Sequence, residues 1–156
     1  MIIRKAEDKD INQILVLLSQ VLEIHAKLRP DIFVSGTTKY NNEYLKNMLD
    51  DPDTFIDVAV EGDTVLGYAI YEIINPKFES TMKPNKTLYL DDLCVGENHR
   101  GKHVGTALFE HVTSEAKKLG CYSVNLYAWE GNEAAKKFYK KVGMRIKAYT
   151  MEYIIK

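Results

Sequence analysis

The stretch that most restricts what this chain can fold into runs from Leu88 to Leu119. Leu88 to Val95 is bulky and mostly apolar, the composition of a buried strand. Asn98 to Gly105 then supplies polar turn residues, the glycines Gly101 and Gly105, and the cations Arg100 and Lys102. From there Val104, Ala107, Leu108, Val112, Ala116 and Leu119 recur at helical spacing. A strand that enters a helix through a tight basic turn is expected to present free backbone N–H groups at the positive end of the helix dipole. Glycine lets an anion approach that backbone closely, so the junction suits a phosphate or pyrophosphate. It has no Gly-Lys-Ser/Thr after a four-residue gap, which disfavours ATP or GTP hydrolysis, and it lacks the three-glycine dinucleotide spacing. A plain surface turn is the alternative reading of the same residues.

The rest of the chain is expected to alternate strands and helices. Residues 2–5 read as a first strand. Asp8 is a candidate N-cap for a helix whose face carries Ile11, Ile14, Leu15, Leu18, Leu22 and His25, and Pro30 ends it. His25 is expected to pack on that face or its edge. Arg29-Pro30-Asp31-Ile32-Phe33 is a loop, pinned by an ion pair or serving as a wall of a ligand pocket. A second helix is expected over about 39–49, with Tyr40, Tyr44, Leu45 and Met48 on one side.

Thr54 to Val60 sets Ile56, Val58 and Val60 against Phe55, Asp57 and Ala59, a strand pattern. Glu61-Gly62-Asp63 turns it back into Thr64–Ile74. Residues 75–85, with Pro76 and Pro84, form a loop, and the strand over 86–95 and its helix follow. Lys117, Lys118 and Gly120 close that helix. Ser123–Ala128 reads as another strand. Asn132 caps a last helix ended by Gly143, and 144–146 and 149–155 read as a closing hairpin. This order implies an α/β layer with a mixed sheet, in one domain over residues 1–156.

Residues 100–108 resemble the acetyl-CoA motif of the GCN5-related N-acetyltransferase family, Arg/Gln-x-x-Gly-x-Gly/Ala, with Arg100, His103 and Gly105 at the matching positions. His103 stands where the first motif glycine is expected, and its imidazole is able to donate to the pyrophosphate instead. Asn132-Glu133-Ala134-Ala135-Lys136-Lys137-Phe138-Tyr139 through Gly143-Met144 is similar to the family's Asn-x-x-Ala-x-x-Phe-Tyr-x-x-x-Gly-Phe/Met signature. The resemblance implies a mostly antiparallel central sheet flanked by helices and splayed at its two central strands. It also implies acetyl-CoA as cosubstrate, bound by Arg100, Gly101, Lys102, His103, Val104, Gly105, Thr106 and Asn132. Backbone amides of Leu93, Cys94 and Val95 would hold the thioester carbonyl and pantetheine.

Acetyl transfer to an amine needs a base, a polarised carbonyl and a stabilised thiolate. An alkyl ammonium has a pKa near ~10, so a carboxylate or a water relay must take its proton. Leu90-Asp91-Asp92-Leu93-Cys94-Val95 resembles the Leu-Glu-Asp-Phe-Phe-Val run of diamine (spermidine/spermine) acetyltransferases, which implies that Asp91 acts as base through water. Strand alternation would put Asp91 and Asp92 on opposite faces, Asp91 with Leu93 and Val95. Asp92 otherwise caps a turn or pairs with a lysine. Tyr139 is implied as the proton donor to the thiolate, its alternative being a core tyrosine. Cys94 reads as an apolar filler rather than an acyl carrier. Glu130 and Tyr127 are further pocket candidates, and Trp129 is a pocket wall or ordinary packing.

The formal net charge of −1 gives no basis for a nucleic-acid surface, and no apolar run approaches the roughly 20 residues of a membrane span. The two cysteines lack metal-ligand spacing, so no metal is expected, and they suit a reducing, cytoplasmic compartment. Asp91, Asp92 and Glu130 favour a small cationic amine as acceptor. The resemblance also leaves room for a homodimer, for a protein N-terminus or lysine as acceptor, and for a non-catalytic module that only binds coenzyme A.

Overall fold

Alternating apolar residues build a sheet that is covered on both faces. In the computed structural model, which describes residues 1–155, the sheet holds β1 (Ile2–Lys5), β2 (Thr54–Glu61), β3 (Thr64–Ile74), β4 (Thr87–Val95) and β5 (Ser123–Asn125). Their spatial order is β1-β2-β3-β4-β5; the first three pairings are antiparallel and β4–β5 is parallel. The helices are α1 (Ile11–Leu28), α2 (Asn42–Asp50), α3 (Val104–Lys118) and α4 (Glu133–Lys141).

Because side chains alternate along a strand, two cores form. Ile56, Val58 and Val60 of β2 and Tyr68 and Ile70 of β3 meet Ile11, Ile14 and Leu18 of α1 and Leu45 and Met48 of α2. On the other face Ala69, Tyr71, Leu88 and Leu90 meet Leu108, Phe109 and Val112 of α3, and Phe138 of α4 and Val142 just beyond it border that core. Truncating a fully buried leucine such as Leu108 to alanine costs about 2–5 kcal/mol. The second core also borders a carboxyl group: Asp57 is buried, accepts from Tyr71 Oη at 2.6 Å and lies 2.9 Å from His111 Nε2.

Local sequence accounts for several element ends. Asn41 Oδ1 accepts from the Tyr44 amide at 2.7 Å, so α2 begins at Asn42 rather than at Lys39. Asn132 Oδ1 accepts from the Ala135 amide at 3.2 Å and starts α4. Gly120 and Gly143, at φ of 70° and 93°, follow α3 and α4 in the left-handed region. Before α1, Asp8–Asp10 makes a single 3-10 turn capped by Glu7, so Asp8 lies within that turn.

Three expectations are corrected. The strand expected over Ser123–Ala128 stops at Asn125, because β4 pairs with β5 only from Thr87 to Tyr89. Residues 144–155 form no hairpin. Ile146, Tyr149, Met151 and Tyr153 are between 69% and 91% exposed, so this strand-like pattern has no ladder to join. The third correction concerns β4. Its register against β3 runs Cys94 to Tyr68, Leu93 to Ala69, Asp92 to Ile70 and then Leu90 to Tyr71. Asp91 is therefore the extra residue of a β-bulge. The bulge reverses the alternation: Leu90 and Leu93 both border the α3 core, while Cys94 enters the α1–α2 core. Asp91 does not share the face of Leu93 and Val95.

Candidate active site

The bulge turns both neighbouring carboxylates toward the α1–α2 side. Asp91 accepts from Tyr40 Oη at 2.6 Å and from Lys39 Nζ at 2.8 Å to each oxygen. Asp92 accepts from Tyr68 Oη at 2.9 Å. Burial pushes the Asp92 carboxyl up to about 6, and the charge of Asp91 adds to the rise; the Tyr68 hydrogen bond and the Lys39 charge oppose it. A carboxylate in that range is mostly ionised at neutrality yet more basic than an ordinary one, as a general base requires.

Tyr139 lies on α4, with its ring against Phe138 at 5.1 Å and Phe109 at 6.5 Å. Burial raises its phenol, and the charge of Asp92 adds to the rise, so it remains protonated at neutral pH. Its hydroxyl has no hydrogen-bond partner among the described residues, yet no buried polar side-chain atom is left unsatisfied; the hydroxyl therefore reaches solvent. Cys94 is buried, and burial pushes its thiol up to about 12, with the sulfur 3.6 Å from the Leu17 carbonyl oxygen. That is the behaviour of a packed neutral thiol and not of a nucleophile.

β4 and β5 part beyond Tyr89 and Asn125, so the β4 edge from Leu90 to Val95 has no strand beside it on that side. The gap leads to the N-terminus of α3. No side chain caps that helix, in contrast to α2 and α4, so its first amides remain available as donors. The preceding turn carries Gly101 at φ 75° and His103 at φ 62°, both left-handed. His103 thus adopts the conformation for which the glycine of that position is favoured. Arg100 is exposed and its Nε lies 3.4 Å from the Val95 carbonyl oxygen, while Lys102 is exposed beside it. Gly105 serves packing: a Cβ there would stand 3.3 Å from the Phe138 ring, so α3 and α4 meet closely at this end. An uncapped helix end, two cations and an open strand edge fit a diphosphate followed by an amide-bearing chain.

The remaining candidates divide. Glu130 is exposed and pairs with Lys136 of α4 at 2.8 Å. Tyr127 is exposed and packs edge-on to Tyr89. Trp129 packs edge-on to Phe33 at 5.2 Å, beside His25, and Arg29 stands over its ring. Arg29 binds Asp31 and reaches Glu152 of the terminal segment, so the loop is pinned by an ion pair.

Lys39, Tyr40 and Tyr68 belong to the site although the pattern of the sequence marks them only as helix and strand residues. Their contacts with β4 span 24 to 52 positions. A cleft of about 470 Å³ beside Asp91 is lined by Tyr40, Tyr44, Asp51 and Glu72, three carboxylates in all among aromatic walls. Among the described residues no cluster of three metal-binding side chains occurs, and no helix is long and apolar enough to cross a membrane.

Comparison with known proteins agrees with this fold. The sequence profile of the acetyltransferase (GNAT) family matches residues 19–144. The thialysine N-epsilon-acetyltransferase of Bos taurus is 25% identical over 152 residues, covering 92% of this chain and 83% of that one. A tetramutant of the BH1408 protein from Bacillus halodurans superposes with a TM-score of 0.94 at 33% identity, over 99% of this chain and 100% of that one. An aminoglycoside acetyltransferase from an uncultured soil sample shares the fold, with a TM-score of 0.73 at 16% identity over 99% of this chain and 96% of that one. The chain belongs to the acetyltransferase (GNAT) family and is an acetyltransferase.

Proposed function

We propose that the chain transfers the acetyl group of acetyl-CoA to a primary amine of a small cationic acceptor, by direct attack in a ternary complex. The observation that carries this reading is the adjacent pair Asp91 and Asp92, both turned to one side by the bulge, at the splayed end of β4. Residues 1–156 act as one domain in this reading. Arg100, Gly101, Lys102, His103 and the amides of Val104, Gly105 and Thr106 take the diphosphate. The backbone of Leu93, Cys94 and Val95 runs beside pantetheine and the thioester carbonyl. The Asn132 oxygen caps α4, which leaves its NH2 group as a donor to the cosubstrate.

The two carboxylates have different tasks. Both Asp91 oxygens already accept from Lys39, and one also accepts from Tyr40, so Asp91 suits a seat for positive charge. Asp92, raised to about 6, suits proton removal, directly or through water. This assigns the base role to Asp92 and the anchoring role to Asp91. Tyr139, held protonated, supplies the proton that the departing thiolate needs. Aromatic walls and carboxylates beside Asp91 support a cation as acceptor, since both attract positive charge. A thialysine acetyltransferase among the relatives agrees with a small amine.

Cys94 and Cys121 are both free thiols, which supports a reducing cytoplasm as the compartment. Among the described residues no strand lies on the outer side of β5, and residues 146–155 carry exposed apolar side chains. These features support a homodimer in which each copy covers the other's edge. Light scattering on the purified chain checks the dimer.

The function is tested by thiol release from acetyl-CoA across a panel of diamines, amino acids, aminoglycosides and peptides. Turnover concentrated on small cationic amines is expected. Binding of coenzyme A without transfer to any amine would instead make the chain a regulatory binding module.

A further inference from the structure

We propose that Lys39 is itself an acetyl acceptor, so that the chain acetylates its own Lys39 Nζ at the carboxylate that seats an external amine. This rests on the acetyltransferase reading above. Lys39 stands between α1 and α2, outside any helix or strand. Its Nζ lies 2.8 Å from both oxygens of Asp91 and 5.3 Å from the centre of the Tyr40 ring. A primary alkyl ammonium thus already occupies the environment assigned to the acceptor, a carboxylate backed by an aromatic wall. The other lysine ion pairs, of Lys9, Lys118 and Lys136, join exposed or partly exposed carboxylates close in sequence. Only Lys39 among them reaches β4, 52 positions away. Its side chain is 46% exposed, so its four-carbon stem has room to swing from Asp91 toward the splayed edge.

The step balances as ammonium plus thioester giving amide, thiol and one proton. Asp92 takes one proton from Nζ and passes it to solvent. The nitrogen lone pair attacks the thioester carbonyl carbon; the C–N bond forms, the C–S bond breaks, and the electron pair leaves on sulfur. Tyr139 protonates that sulfur and is restored by the second proton lost from nitrogen. The acetylated side chain is neutral and no longer pairs with Asp91, which frees that carboxylate for an external cation.

The test incubates the full chain with acetyl-CoA and no added amine, at several protein concentrations, and reads intact mass and peptide maps. The expected result is a single acetyl group on Lys39, ahead of every other lysine, with a first-order rate independent of protein concentration. The label is expected to be lost in Lys39→Arg and strongly slowed in Asp92→Asn and Tyr139→Phe. Labelling spread evenly over exposed lysines, labelling undiminished in the Asp92 and Tyr139 variants, or a rate proportional to protein concentration overturns the proposal. If an added amine is acetylated while Lys39 stays bare, self-acetylation falls and the enzyme reading stands. If neither is acetylated, both fall.

Discussion

Tyr68 Oη donates to Asp92 Oδ2 at 2.9 Å, from the β3 position two residues before Asp92's own register partner Ile70. That hydrogen bond favours the ionised carboxylate, while burial opposes it. Tyr68→Phe removes the donor and is expected to raise the Asp92 carboxyl further. A net hydrogen bond of about 1 kcal/mol corresponds to somewhat under about one pH unit. The acidic limb of kcat/KM, expected near the value of about 6 for Asp92, should move upward by that amount. A pH–rate profile of the variant that overlays the parent profile would remove Asp92 from the proton path.

Asp92 also carries a cost to stability. Its carboxyl is raised from 3.8 in the unfolded chain to about 6 in the fold. Below the unfolded value both states are protonated and no penalty exists. As pH rises through that interval the unfolded chain ionises first, and the fold loses up to about 3 kcal/mol by the time Asp92 is charged. Asp92→Asn should therefore melt higher than the parent at pH 8 and together with it near pH 4, while turnover collapses. Thermal unfolding at the two pH values, alongside an activity assay, checks both halves.

Tyr139→Phe keeps the packing against Phe109 and Phe138 and removes only the hydroxyl. Loss of a positioned proton donor is expected to lower kcat by about 10²-fold or more, with acetyl-CoA affinity by calorimetry nearly unchanged. Equal loss of affinity and turnover would make the phenol a binding group instead.

His103, at φ 62°, bears the strain of a left-handed conformation that glycine adopts freely. His103→Gly relieves the contact between Cβ and the carbonyl oxygen at the cost of a more flexible unfolded chain. Relief of about 1–2 kcal/mol exceeds that loss, so denaturant midpoints should rise slightly. Coenzyme A binding should persist, carried by Arg100 and the α3 amides. A fall in affinity of more than about tenfold, or about 1.4 kcal/mol, would make the imidazole a principal holder of the diphosphate rather than one contact among several.

Short-range chemistry was legible in the sequence. The alternation of Ile56, Val58 and Val60, the Asn132 cap, and the glycines behind α3 and α4 each depend on neighbours a few residues away. The bulge at Asp91 was not legible, because a register is a property of two strands and β3 decides it. The same holds for Lys39 and Tyr40, whose value to the site lies in a carboxylate about 50 positions distant. The terminal segment failed for the opposite reason. Tyr149, Met151 and Tyr153 have the periodicity of a strand, but periodicity supplies no neighbour to pair with.

The odd residue of β4 acts like a washer in a threaded joint. Were it seated opposite Ile70 in unbroken alternation, every later side chain of the strand would turn by half a revolution: Leu93 and Val95 would point where Cys94 and Asp92 now do, and Asp92 would be pressed into oil. Deletion of Asp91 would join Leu90 to Asp92 in regular alternation and keep the pairs with Tyr71, Ile70 and Ala69, so both cores would be spared while one of the two carboxylates is lost. The spare position thus serves the chemistry and not the packing: it sets two acids side by side where a regular strand would part them.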